Sequence, residues 1–137
     1  MQETRKQHRV FVVDDERMIA STLAMILSHR GFDATAYVRP REALQAARSA
    51  PPDLLISDVV MPELSGIDLS IQVREKCPHC KILLFSGQAT TSDLLEEARA
   101  QGHNFELLTK PAHPTELLKK IDELLNCAPP VAESQVA

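Results

Sequence analysis

Four short apolar runs punctuate the chain, and each gives way to polar residues. Val10-Phe11-Val12-Val13 leads into Asp14-Asp15-Glu16, and Leu54-Leu55-Ile56-Ser57 into Asp58. Ile82-Leu83-Leu84-Phe85 leads into Ser86-Gly87, and Leu107-Leu108 into Thr109-Lys110-Pro111. Runs with so little alternation suit parallel strands covered on both faces. Between them the period changes. Met18, Ile19, Leu23, Ile26 and Leu27 recur at helical spacing over 17–29, with Gly31 as the stop. Residues 32–38 read as another short strand. Pro40 opens a helix with Ala43, Leu44 and Ala47 on its inner face, and Pro51-Pro52 ends it. Ile67, Leu69, Ile71 and Val73 mark a third helix that stops by Pro78. Asp93 and Glu96 have capping-box spacing for a fourth helix, which reaches Gln101. Residues 105–108 form the last strand. Pro114 opens a final helix with Leu117, Leu118, Ile121, Leu124 and Leu125 turned inward.

Five strand–helix repeats imply an α/β fold, a parallel sheet with helices on both faces. Right-handed crossovers leave few ways to wind it. The expected organisation is a polar N-terminal arm over 1–7, one domain over 8–127, and a disordered polar tail over 128–137, with no room for a second domain. A chain of 137 residues, 44% hydrophobic and 25% charged, fits one soluble globular domain. The net charge of −4 gives no reason to expect nucleic-acid binding. No apolar stretch approaches the roughly 20 residues that span a bilayer, so no membrane partner is expected. The N-terminus lacks a secretory pattern, and three cysteines suit a reducing compartment; the expected location is cytoplasmic.

In a parallel sheet the C-terminal strand ends share one edge, where distant residues can meet. That edge would gather the carboxylates of Asp14, Asp15 and Asp58, the Ser86 hydroxyl and the Lys110 ammonium. Carboxylates about 4 Å apart repel by about 4 kcal/mol per pair at an effective dielectric near 20. Such a group takes up a cation or holds protons. A hard divalent ion with oxygen ligands fits, and Mg²⁺ needs only one or two carboxylates besides water. A carboxylate can also attack phosphorus to give an aspartyl phosphate, and Lys110 and Ser86 could then meet the phosphoryl oxygens. Each residue has a plainer use as well. Asp14 could cap the first helix, Asp58 and Ser86-Gly87 could serve in turns, and Lys110 could be solvated.

Asp14-Asp15, Asp58 with Met61-Pro62 and Gly66, Ser86-Gly87 and Lys110-Pro111, in this order, resemble the receiver domain of two-component response regulators over nearly the whole chain. The resemblance implies a flavodoxin-like sheet of order 2-1-3-4-5 with five helices; a single-domain receiver is a standing example of that order. It implies that Asp58 accepts a phosphoryl group from a histidine kinase or histidine phosphotransfer protein. It also implies Mg²⁺ held directly by Asp15, through water by Asp14, and by Asp58 and the Val60 backbone carbonyl. Ser86 would move toward the phosphate and carry its loop along, a switch biased by local charge. The expectation is a stand-alone receiver, not a conventional enzyme, that signals to an unidentified protein through its fourth helix, fifth strand and fifth helix. Arg99, Gln101 and Lys119 lie on that surface. A phosphate-independent docking module is the alternative.

The chain departs from the family where an aromatic residue often precedes the lysine by three positions. Leu107 stands there and reads as core. Val60 and Gln88 occupy positions whose side chains, in the family, overlook the phosphoryl group. Val60 cannot orient water, whereas Gln88 can, so Val60→Asn should shorten the life of the phosphate.

Cys77-Pro78-His79-Cys80 has the spacing of a thiol–disulfide motif. A reactive thiolate wants a helix N-terminus after a strand, however, and this segment follows a helix. With Cys127 far along the chain, zinc would lack a full tetrahedral set. The expectation is a helix-ending loop with two inert thiols. His8, His29, His103 and His113 read as surface or capping residues.

Overall fold

Four of the five residues in β1 (Arg9–Val13) are buried, which fits an interior strand of the sheet. The computed structural model describes residues 7–87, 91–103, 105–110 and 113–126, without the side chains of residues 91–94 and 126. The other strands are β2 (Asp33–Tyr37), β3 (Leu54–Asp58), β4 (Lys81–Ser86) and β5 (Glu106–Thr109). All pair in parallel, in the order β2-β1-β3-β4-β5. The helices are α1 (Arg17–His29), α2 (Pro40–Ser49), α3 (Gly66–Lys76), α4 (Thr91–Ala100) and α5 (Pro114–Asn126). The expected α/β class and flavodoxin-like order both hold.

The two-residue strand period sorts the core into two layers. Val10, Val12, Leu54, Ile56 and Leu83 meet Ala20 and Leu27 of α1 and Leu117 and Ile121 of α5. Phe11, Val13, Leu55, Ile82 and Leu84 face the other way, against Ala43 and Leu44 of α2, Ile67 and Val73 of α3, and Ala98 of α4. Each large aliphatic side chain fully buried this way contributes about 1.5–3 kcal/mol. The inward set read for α5 is present, with Leu118, Leu124 and Leu125 partly buried against the layer that α1 and α5 cover.

Several boundaries differ from the sequence reading, each for a local reason. Phe32 does not join β2, because its N–H closes α1 on Leu27 O at 3.1 Å. Gly31, at φ 93°, makes that reversal, as expected of a helix stop. Asp58 and Ser86 lie inside β3 and β4 as their last residues, since the ladders Asp58↔Phe85 and Ser86↔Thr109 continue through them. Helix α4 begins at Thr91, three residues before the first helical position, 94, that an Asp93–Glu96 capping box gives. The side chain of Asp93, the N-terminal arm over 1–6, Gln88, Pro111 and residues 127–137 lie outside the described structure.

Candidate functional site

The register brings three strand ends together. Asp14 follows β1 directly, Asp58 closes β3, and Lys110 follows β5. One oxygen from each of Asp14, Asp15 and Asp58 can be chosen so that all lie within 4.8 Å of one another. Asp14 is 2% exposed, Asp58 is half-buried and Asp15 faces solvent. Lys110 Nζ reaches Asp14 Oδ2 at 3.2 Å and Asp58 Oδ1 at 3.5 Å, spanning 96 residues of sequence in the first contact. The lysine ammonium also lies 5.5 Å from the centre of the Phe85 ring.

Asp14 and Asp58 each have one oxygen fixed by a backbone N–H. Asp14 Oδ1 accepts from the N–H of Glu16 at 2.9 Å, a local turn bond. Helix α1 takes Glu16 as its N-cap and has no side-chain cap bond, so Asp14 does not cap it. Asp58 Oδ1 accepts from the N–H of Val59 at 2.9 Å and is also the oxygen nearest Lys110. Burial pushes the Asp58 carboxyl above its usual range; Lys110 opposes that rise and the Asp14 charge adds to it. Burial alone would lower the Lys110 ammonium, but Asp14 and Asp58 together hold it above its usual range.

Ser86 is buried at the same edge, and its carbonyl accepts from the N–H of Lys110 at 2.8 Å. Val60, two residues past Asp58, is 48% exposed between buried Val59 and Met61. Glu63, at φ 74°, turns the loop toward α3. Leu107 packs partly buried against the core opposite Leu84, as its reading as core required. Phe105 stacks at 6.1 Å on His103 and lies 5.4 Å from the Arg74 guanidinium, away from this edge.

Two residues carry more of the site than the sequence reading gave them. Ser57 is fully buried and its hydroxyl donates to Asp58 O at 2.8 Å. A polar residue inside an otherwise apolar strand was the available signal. Gly66 belonged to the motif, but its reason is steric: an added Cβ would lie 2.0 Å from Asp58 O.

The thiols of Cys77 and Cys80 are free and buried. Each donates to a backbone carbonyl, Cys77 to Ala47 O at 3.8 Å and Cys80 to Lys81 O at 3.3 Å. Burial raises both, Cys80 to about 12, the opposite of what thiolate chemistry needs. Among the other histidines, His113 Nδ1 accepts from the N–H of Thr115 at the start of α5, a capping role. His29 is exposed and His8 partly so.

A five-stranded parallel sheet of order β2-β1-β3-β4-β5 with an acidic cluster and a lysine at its carboxyl edge defines a flavodoxin-like α/β domain with a charged site at the strand ends. The chain belongs to the response regulator receiver domain family, whose model matches residues 10–122. It is 31% identical over 116 residues to the probable transcriptional regulatory protein TcrX of Mycobacterium tuberculosis, covering 85% of this chain and 49% of that protein. It is 26% identical over 117 residues to the chemotaxis protein CheY of Thermotoga maritima, covering 85% of this chain and 96% of that one. The chain thus spans about half the length of one of these relatives and nearly all of the other. Among solved structures, the chemotaxis protein CheY4 of Vibrio cholerae superposes with a TM-score of 0.78 at 30% identity, covering 88% of this chain and all of that one. Receivers of this family act in two-component signalling, and they bind Mg²⁺ at an acidic pocket. The cluster of Asp14, Asp15 and Asp58 could hold such an ion. Among the described residues no helix is long and apolar enough to cross a membrane.

Proposed function

We propose that Asp58 accepts a phosphoryl group from a histidine kinase or histidine phosphotransfer protein, and that the domain then signals through protein contacts. The observation that carries this reading is the convergence of Asp14, Asp15, Asp58 and Lys110 at one strand edge. A carboxylate oxygen of Asp58 attacks the phosphorus of a phosphoimidazole. A P–O bond forms, the P–N bond breaks, and the electron pair leaves with the imidazole nitrogen. The two contacts of Asp58 engage Oδ1, which favours Oδ2 as the attacking atom. Lys110 supplies positive charge beside the equatorial oxygens, and Ser86 a hydroxyl donor.

The residues fit Mg²⁺: three carboxylates close together, all hard oxygen donors. Asp14, Asp15, Asp58 and the Val60 carbonyl would hold it. When bound, it would offset the charge that develops on the phosphoryl oxygens. The surface of α4, β5 and α5, with exposed Arg99, Gln101 and Lys119, is proposed as the output face toward a downstream protein. The proposed domain boundaries are 8 and 127, with the arm before and the tail after.

The test is incubation with acetyl phosphate and Mg²⁺, followed by intact mass spectrometry. One phosphoryl adduct is expected, absent in Asp58→Ala. Failure of any adduct to form, with beryllofluoride also silent by NMR, would leave a phosphate-independent docking module as the better reading.

A further inference from the structure

Ser57 holds the peptide that holds the nucleophile. Its hydroxyl is fully buried and donates to Asp58 O at 2.8 Å. The other end of that same peptide unit is the N–H of Val59, which donates to Asp58 Oδ1 at 2.9 Å. A peptide is planar, so fixing its oxygen fixes the direction of its N–H. The neighbouring unit is tied as well, since Val59 O accepts from the N–H of Gly66 at 2.8 Å. Gly66 packs close enough that a Cβ there would sit 2.9 Å from Ser57 Oγ. The Ser57 hydroxyl therefore lies in a closed slot between β3 and the first turn of α3.

We infer that Ser57 is a positioning residue for phosphoryl transfer: through the plane of the Asp58–Val59 peptide it sets the orientation of the Asp58 carboxylate. Oδ1 is anchored by the oriented N–H, and Oδ2 is presented to the phosphoryl donor. The inference rests on the proposed transfer to Asp58. It does not require Ser57 to touch the donor, from which the buried hydroxyl is shielded.

A second buried hydroxyl in the same seam provides the control. Ser70 is fully buried and its Oγ donates to Gly66 O at 2.7 Å, but it makes no bond to the Asp58–Val59 peptide. Ser57→Ala and Ser70→Ala remove equal chemistry at neighbouring points. Ser57→Ala should slow phosphorylation by saturating acetyl phosphate at least about tenfold, within the roughly hundredfold that a misplacement of about 1 Å can cost. Half-saturation by the donor should change little. The Val59 amide proton of the metal-free protein should move upfield as its bond to Oδ1 loosens. Ser70→Ala should change neither rate nor resonance, and Ser57→Thr should restore both.

If Ser57→Ala does not fold, the near-isosteric Ser57→Cys, a weaker donor, carries the same test with a smaller expected loss. A rate within twofold of wild type and an unmoved Val59 amide would overturn the inference, as would an equal loss in Ser70→Ala. Absence of any adduct on the wild-type protein would instead overturn the function on which it rests. The metal-free Val59 resonance would still report on the positioning.

Discussion

Replacing Gly66 by alanine should damage stability and phosphorylation together. The added Cβ would fall 2.0 Å from Asp58 O and 2.9 Å from both Asp58 C and Ser57 Oγ. Real Cβ contacts stay beyond 3.0 Å, so the closest pair is short by about 1 Å (3.0 − 2.0). No flexible side-chain tip can relieve the closest contact, because the atom at 2.0 Å is a backbone oxygen. Either the first turn of α3 retreats or the Asp58 carbonyl swings away. The helix resists: Ser65 caps it through the N–H of Asp68 at 3.1 Å, and Ile67, Leu69 and Val73 are buried. The carbonyl resists through Ser57. Overpacking of this kind costs about 1–3 kcal/mol, and two rigid partners place Gly66→Ala near the upper end. The better helix propensity of alanine offsets less than about 1 kcal/mol of it.

A loss of about 2–3 kcal/mol corresponds to a fall in Tm of roughly 7–12 °C for a domain of this size. Urea unfolding followed by far-ultraviolet circular dichroism is the suitable assay, because the chain has no tryptophan and one tyrosine. Gly31→Ala is the matched comparison. Its φ of 93° strains any side chain, yet nothing lies within 4 Å of the added Cβ. It should cost about 1–2 kcal/mol and leave phosphorylation intact. Wild-type stability and rate in Gly66→Ala would refute the steric argument, and so would a comparable loss of phosphorylation in Gly31→Ala.

Three further outcomes are expected. Lys110→Ala should reduce phosphorylation by acetyl phosphate about a hundredfold or more, as loss of a preorganised charge does, while Mg²⁺ affinity by titration holds or rises; a wild-type rate would contradict the role given to the lysine. Val60→Asn should release phosphate from the aspartyl phosphate several-fold faster, because an amide can orient water at a position that is 48% exposed; equal or slower release would refute this. In a Cys127→Ser background, Cys80 should react with a thiol reagent at pH 8 at least about a hundredfold more slowly in the folded protein than in urea. Its thiol is buried and pushed up to about 12, so the reactive thiolate is scarce until pH rises toward that value; rapid labelling of native protein would contradict the structure.

Much of this was legible because the signals were local. The apolar spacing in α1 marked residues 17–29 without help from the rest of the fold. Pro40 and Gly31 act within one turn, and their positions were read correctly. What failed depended on partners far away or on competing uses of one group. Phe32 looks like strand until its N–H is seen closing α1. At α4 an acid three residues before a glutamate outweighed the threonine and serine that begin the helix. The site's membership followed from strand ends, but its internal wiring did not. No local pattern tells that the Ser57 hydroxyl turns to Asp58 O, or that Lys110 reaches Asp14 across 96 residues of sequence.

Under the proposed function, the charges at the edge would let one lysine aid phosphorylation and oppose cation binding. Three formal carboxylates and one ammonium sum to −2 (−3 + 1), which a divalent cation neutralises. Without it, an incoming phosphoryl donor meets net negative charge, and Lys110 is spent on two carboxylates at 3.2 and 3.5 Å. At an effective dielectric near 20 each contact is worth about 5 kcal/mol before desolvation is subtracted. Neutralised carboxylates hold the lysine less tightly, and its flexible stem leaves it able to face a phosphoryl oxygen. Under the proposed transfer to Asp58, the same ammonium competes for Asp14 and Asp58 in one state and serves the phosphoryl group in the next. Removing it should separate the two measurements: affinity for the ion is kept or improved, while the rate is lost. A purely structural lysine would lower both.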